Sequence, residues 1–261
     1  MHIDLTGKSA LVTGAGTGIG HGIATLLAEH GAQVAVLDVN AETARRTAGE
    51  ITAKGGKSLP LAADVSDSGQ VAKAVDQALA AMGRIDILCC NAGISQILSL
   101  VEMTEQDWDR MLDINVKGVF LCCKYVVPHM IHNGGGRIIN TASYLGKIGA
   151  RKLTHYCASK FAVVGFTQSL AHELAPHAIL VNAVGPGDVD TEMMAREWVW
   201  EAELEGGTPE EAKERCRQKQ MLGRLETPLD VARVVVFLAS DYAGYISGET
   251  INVSGGLPLT A

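Results

Sequence analysis

Short, β-branched apolar runs alternate along the chain with longer stretches in which apolar residues return every three or four positions, the periods of buried strands and of amphipathic helices. The runs predict strands at Ser9–Thr13, Gln33–Asp38, Ser58–Ala62, 85–90, Gly136–Thr141, 179–184 and Thr250–Val253. The helical periods fall between them, at Gly18–Glu29, 41–54, Ser68–Met82, 105–131, Thr154–Leu174 and Pro228–Ala239, with Pro128 expected to bend or shorten the fourth. Strand and helix in strict alternation predict an α/β fold: one doubly wound, seven-stranded parallel sheet with helices on both faces. No repeat, low-complexity tract or Pro/Ser-rich linker interrupts the rhythm, so 1–261 reads as a single domain. One excursion, residues 191–223, is too long for a plain connection and rich in Glu, Met and Trp. Such excursions often cover a binding site, and a substrate-binding lid is expected there.

Composition narrows the function. A chain of 261 residues with 47% hydrophobic content can bury a large core as one domain. The formal net charge is -7 and its Lys and Arg residues are scattered, which argues against nucleic acid as a partner. The longest apolar runs fall far short of the ~20 residues that span a bilayer, and the first residues lack the basic start and apolar stretch of a secretory signal. No membrane association and a cytoplasmic location are expected. The six cysteines, at 89, 90, 122, 123, 157 and 216, show no CxxC spacing and read as small buried hydrophobes. None of the eight histidines pairs with a cysteine or acid at ligand spacing, so no metal site is expected.

Candidate chemistry begins where strand 1 runs through Thr13-Gly14-Ala15-Gly16-Thr17-Gly18-Ile19-Gly20 into a helix. Glycines there permit a tight turn and let main-chain N–H groups approach a pyrophosphate at the helix N-terminus. Strand 2 ends on Asp38, 24 residues after Gly14, near the position where an acid bonds the adenosine ribose. Its carboxylate can accept both ribose hydroxyls but repels a 2′-phosphate, and neither Thr17 nor Val39 offers a compensating cation, so the cofactor is expected to be NAD.

The glycine spacing resembles the TGxxxGIG signature of the short-chain dehydrogenase/reductase family. Asp64-Val65 resembles that family's adenine-contacting pair. Cys90-Asn91-Ala92-Gly93 resembles its NNAG element, with Cys at the first Asn and with Asn91 and Gly93 kept. Pro186-Gly187-Asp188-Val189-Asp190-Thr191 resembles its PGxxxT segment at the nicotinamide end. The resemblance covers nearly the whole chain and implies a Rossmann-type fold in which Gly14, Thr17, Gly18, Ile19, Gly20, Asp38, Asp64, Val65, Asn91, Gly93, Pro186, Gly187, Val189 and Thr191 serve the cofactor.

Tyr156 and Lys160 lie four apart on one predicted helix, so both side chains share a face and the ammonium can sit near the phenol. A tyrosine titrating near its ordinary value of about 10 is a poor base at neutral pH; lowering it by two to three units takes roughly 3 to 4 kcal/mol of phenolate stabilisation. By resemblance, Tyr156 exchanges the proton, Lys160 supports it and bonds the nicotinamide ribose, Ser143 orients the substrate, and Asn115 holds a proton-relay water. The implied activity is hydride transfer between a secondary alcohol and a ketone.

Substrate-lining candidates are Ser95, Gln96, Leu145, Leu153, Asp188 and Trp198, with Met193 and Met194 beside them. Residues 192–205 hold five glutamates against Arg196, a field that disfavours an anionic substrate. Relatives that oxidise 3-hydroxy acids place a basic side chain three residues before the tyrosine, where this chain has Leu153, although Lys152 adjoins it. A small neutral polyol and its ketose are therefore expected. A vicinal diol with acetoin, a 3-oxoacyl substrate and a non-catalytic NAD-binding regulator are the alternatives. The 3-oxoacyl reductases of the family usually take NADPH and carry basic residues near the ribose, which the sequence gives no sign of. Resemblance also implies a homotetramer, with the fourth and fifth helices at an interface and residues 254–261 near a neighbouring subunit.

Overall fold

The computed structural model describes residues 3–257. Residues 258–261 of the expected C-terminal contact segment lie outside them. The strands β1 (Ser9–Thr13), β2 (Gln33–Asp38), β3 (Ser58–Ala62), β4 (Ile87–Cys90), β5 (Gly136–Thr141), β6 (Ile179–Pro186) and β7 (Thr250–Val253) form one sheet, all parallel, in the order β3-β2-β1-β4-β5-β6-β7. The helices are α1 (Gly18–Glu29), α2 (Ala41–Ala53), α3 (Ser68–Met82), α4 (Glu105–Leu112), α5 (Gly118–His132), α6 (Thr154–Leu174), α7 (Glu192–Glu205), α8 (Pro209–Lys219) and α9 (Pro228–Ala239).

Buried on both faces, the strands send alternate side chains into two cores. Leu11, Leu88 and Cys90 meet Val71, Val119 and Val163 of α3, α5 and α6. Val12, Ile87 and Cys89 meet Ile23, Ala44 and Val235 of α1, α2 and α9. Strand order reverses between β1 and β4, which opens a crevice at the carboxyl ends of the strands, the place where sheets of this kind bind ligands.

Three expectations shift. β4 starts at Ile87 rather than 85 because Asp86 turns its carboxylate to the Ser9 N–H at 2.9 Å and pairs with Arg84. β6 runs two residues further, carried by pairing of Gly185 and Pro186 with Asn252 and Val253. The fourth helix is two helices joined by a π-helical turn at Asp113–Lys117, and it passes through Pro128 to His132. A π turn inserts an extra residue into the helical ladder, a distortion common at functional sites.

The long excursion folds as a helical pair, α7 and α8, with caps written in its sequence. Thr191 accepts the Met194 N–H, and Thr208 and Glu211 form a reciprocal capping box. Trp198, Ala212, Cys216 and Leu225 form a small core of its own.

Candidate active site

A cleft of about 740 Å³ runs from the β1–α1 turn to the α7–α8 pair. At its first end the wall is main chain. Gly14 has φ +62°, and a side chain there would put Cβ 2.8 Å from Ala92 Cα; at Gly20, Cβ would fall 2.0 Å from the Gly14 carbonyl oxygen. The turn closes only because both are glycine. α2, α3 and α4 have side-chain caps on their first N–H groups, but Thr17 gives none to α1, whose first turn also carries no acid. An uncapped helix N-terminus beside a glycine turn suits a phosphate.

Asp38 stands at the mouth of this turn, where it accepts the Gly16 N–H and the Asn40 N–H, each at 2.9 Å. The expectation that no basic group stands near is corrected here. Arg46, one turn into α2 and distant in sequence, donates to the Gly16 carbonyl at 3.2 Å. Thr17, Gly18, Ile19, Asp64, Val65, Asn91, Gly93, Pro186, Gly187, Val189 and Thr191 all line the cleft. Gly20 does not; its part is to admit the turn.

The two ends are tied together by a polar chain. Thr13 Oγ1 accepts the N–H groups of Asn91 and Ala92, each at 3.0 Å, and the Asn91 amide donates to the Thr13 and Gly14 carbonyls. The Thr141 hydroxyl donates to Asn91 Oδ1 at 3.3 Å, and Lys160 Nζ donates to the Thr141 carbonyl at 2.9 Å. The Thr13 side chain, which the sequence reading passed over, is thus the peg between the glycine turn and the segment after β4.

Ser143, Tyr156 and Lys160 meet at the bend of the cleft. The Ser143 hydroxyl accepts the Leu145 N–H at 3.1 Å and lies beside the Tyr156 phenol, which it draws toward ionisation. Burial outweighs that contact and pushes the phenol above its ordinary value, with the Glu197 charge adding to the shift. Lys160 Nζ lies 5.7 Å from the centre of the Tyr156 ring, and burial brings its ammonium down to about 8. Asn115, buried in the π turn, is kept off the cleft wall. Its Oδ1 accepts the Ile94 N–H at 2.8 Å, while Nδ2 donates to the Ile94 carbonyl at 2.9 Å and to Ser159 Oγ at 3.0 Å. The side-chain amide is occupied with anchoring the segment after β4 to α6.

The family model described as Enoyl-(Acyl carrier protein) reductase matches residues 14–258. The chain is 40% identical to the 3-oxoacyl-[acyl-carrier-protein] reductase FabG of Thermotoga maritima, covering 98% of this chain and 99% of that one. It is 43% identical to a short-chain dehydrogenase/reductase of Armillaria gallica, over 96% of each. This chain belongs to the short-chain dehydrogenase/reductase family. Solved structures agree. The short-chain type dehydrogenase/reductase from Mycobacterium marinum superposes with a TM-score of 0.88 at 40% identity, covering 97% of this chain and 96% of that one. Levodione reductase does so with a TM-score of 0.91 at 33% identity, covering 96% and 97%. Membership makes the chain an oxidoreductase of the kind that works with a nicotinamide cofactor, and the glycine turn, α1 N-terminus and Asp38 fit one.

At the other end of this short-chain dehydrogenase/reductase, the wall is made of side chains from four separated segments. Leu145, Leu153, Asp188, Met193 and Met194 line it as expected. Trp198 does not, and the expectation is corrected: it is buried in the small core of the α7–α8 pair, with Lys213 Nζ 4.7 Å from its ring centre. Gln96 also points elsewhere, to Asp107 at 3.4 Å. Ser95 stays off the wall, its buried hydroxyl near the Glu197 carboxyl. Sequence reasoning missed Tyr144, Glu197 and Glu201 as individuals, yet all three line the cleft. Their signal was weak: Tyr144 adjoins Ser143, and the two glutamates sit four apart on one face of α7.

This end is acidic and partly dry. Burial raises Glu197 to about 7, reinforced by Asp188 and Glu201, and raises Asp188 to about 6. Behind them, the buried Glu226 accepts the Gly187 N–H at 2.8 Å and is raised to about 8 by desolvation. Among the described residues, no helix is long and apolar enough to cross a membrane.

Proposed function

We propose that the chain transfers hydride between a secondary alcohol and a ketone with NAD(H), acting on a small, neutral, hydroxylated substrate such as a polyol and its ketose. The observation that carries the reading is the meeting of Ser143, Tyr156 and Lys160 at the bend of one cleft whose far end is a phosphate-suited glycine turn. The nicotinamide ring, when bound, supplies or takes the hydride and brings positive charge in its oxidised form. Tyr156 then exchanges the proton of the reacting oxygen, while Ser143 donates a hydrogen bond to that oxygen. Lys160 supports the phenolate and is aligned by the Thr141 carbonyl. Asn115 acts through its amide, fixing the segment that ends at the substrate, and its main chain in the π turn is the place for a relay water. The α7–α8 pair serves as the lid.

Asp38 favours NAD over NADP, since a 2′-phosphate beside its carboxylate is repelled. Asp188 and Glu197 favour an uncharged substrate over an anion. The exposed Phe120 and Ile131 on α5 and Phe161 on α6 support a homotetramer paired through these helices, in a cytoplasmic protein. Light scattering at the expected tetramer mass tests the assembly.

A second reading has its own support. The relatives named 3-oxoacyl-[acyl-carrier-protein] reductase, with Arg151 and Lys152 on the cleft wall, favour reduction of a 3-oxoacyl group. The deciding experiment measures NADH formation from NAD with sorbitol, galactitol, 2,3-butanediol, 3-hydroxybutyrate and a steroid alcohol. It also measures oxidation of NADH and NADPH with a 3-oxoacyl thioester. Fastest turnover of a polyol is expected. Fastest turnover of the hydroxy acid, steroid or thioester overturns the polyol reading, and no turnover of any leaves the NAD-binding regulator.

A further inference from the structure

Glu197 lies on the inner face of α7, in the same chamber as the reacting group: its charge raises the Tyr156 phenol and, more weakly, the Tyr144 phenol. The groups around it come from five segments. The Ser95 hydroxyl lies near it from the stretch after β4, Asp188 repels it from the end of β6, and Glu201 repels it from the next turn of α7. Tyr156 of α6 and Tyr144 complete the surroundings, and the cation felt there, Arg196, is exposed and the weakest influence. A carboxylate has about four lone-pair sites, and the single proton of the Ser95 hydroxyl can engage one of them at most. Its acidic neighbours are already served: Asp188 accepts Gln220 Nε2 at 3.0 Å and feels Lys219, and Glu201 receives the Cys216 thiol at 3.8 Å. Glu197 therefore presents a half-buried acceptor to the cleft that Tyr156 also lines.

We propose that Glu197 is a specificity-determining residue, accepting a hydroxyl or ammonium donor near the reacting carbon of the substrate and rejecting an anionic group at that place. The proposal rests on the reading of the cleft as a site of hydride transfer to and from an alcohol. A donor satisfies the open lone pairs of a half-buried acceptor, whereas a carboxylate brings like charge beside it and leaves those lone pairs unmet.

Three compounds with the same secondary carbinol test it: 1-amino-2-propanol, 1,2-propanediol and lactate differ only in the neighbouring substituent, a cation, a neutral donor and an anion. Dissociation constants are measured on the NADH-loaded protein at about pH 8, above the point near 7 at which Glu197 ionises. Turnover with NAD is measured in parallel, on the unaltered protein and on Glu197→Gln and Glu197→Ala. The expected order of affinity is cation, neutral, anion, with about tenfold or more between first and last, equivalent to about 1.4 kcal/mol. In Glu197→Gln the spread shrinks to about threefold or less while NADH affinity is kept, which shows that the variant is folded; Glu197→Ala repeats the measurement if it is not. Equal affinity for anion and cation, no measurable binding of the amino alcohol, or an unchanged spread in the folded variant overturns the proposal. A binding order as expected without turnover sinks the hydride-transfer reading instead and leaves the charge selection standing.

Discussion

At the β1–α1 end of the cleft the wall is main chain held by main chain: Gly14 and Gly20 make room, Thr17 leaves the first N–H groups of α1 uncapped, and Asp38 clamps Gly16 and Asn40. At the α7–α8 end the wall is side chain, and its polar members, Tyr144, Asp188, Glu197 and Glu201, arrive from three segments and shift one another's ionisation. The first design fits one ligand and tolerates little change, because a main-chain cradle has no rotamers with which to adapt. The second is set by charge and by which lone pairs are already used, so single side-chain exchanges can retune it without disturbing the sheet. The bend between them, where Lys160 reaches back to Thr141 and up to Tyr156, belongs to both.

The largest expected effect is at that bend. Tyr156→Phe removes the hydroxyl proposed to exchange the proton and nothing else, so kcat is expected to fall by about a hundredfold or more while NADH affinity stays nearly unchanged. Retention of more than about a tenth of the activity would show that another group is the base.

Next comes the main-chain end. In Gly20→Ala the new methyl meets the Gly14 carbonyl oxygen at 2.0 Å, a backbone atom that cannot step aside. A loss of about 3 kcal/mol, the upper end of what overpacking costs, is expected, together with loss of NADH binding. Thermal unfolding and cofactor titration check it; a variant that folds and binds as before would mean that the turn is not the cradle.

Cofactor choice sharpens the contrast further. NAD is expected to exceed NADP by about tenfold or more in kcat/KM, since burying a phosphate beside Asp38 should cost at least the ~1.4 kcal/mol that tenfold represents. Equal efficiency would transfer the decisive part from Asp38 to Arg46, and Arg46→Ala would then lower only the NADP rate.

The smallest effect is one of pH, at the side-chain end. Glu226 is raised from its ordinary 4.5 to about 8. Between those values the folded chain keeps a proton that the unfolded chain has released, so this residue lowers stability progressively as pH rises through the interval. Glu226→Gln should therefore unfold at nearly the same temperature as the unaltered protein at about pH 4.5. By about pH 8.5 it should unfold at a clearly higher temperature, the gap growing with each unit of pH across the interval. A gap that does not widen with pH would show that Glu226 is not held protonated by its burial.

Much of the first end was legible because its determinants are local. A strand, a glycine turn and a helix follow one another within twelve residues of Ser9, and Asp38 is placed by the next strand. Arg46 escaped notice because its contact with Gly16 spans 30 residues and uses a carbonyl, which leaves no mark on spacing. At the other end, Trp198 was placed on the cleft by its position in the excursion, but α7 turns it toward α8, where Ala212 and Cys216 bury it. Glu197 was visible only as one of several acids. Its rise to about 7 comes from desolvation and from Asp188, and neither exists until the excursion packs over the sheet.

Hydrophobic period, turn residues and caps act within a few residues of one another, so the sequence by itself determined seven parallel strands, the helices outside the 105–132 and 191–223 stretches, the glycine turn and the pairing of Tyr156 with Lys160 on one helical face. Only the tertiary structure decided that Asn115 would be consumed in anchoring Ile94, that Lys160 would reach Thr141, and that Glu197 rather than Trp198 would line the cleft with Tyr156. Burial and the meeting of charges are properties of surfaces brought together from distant parts of the chain, and no local pattern encodes which lone pairs remain free once they have met.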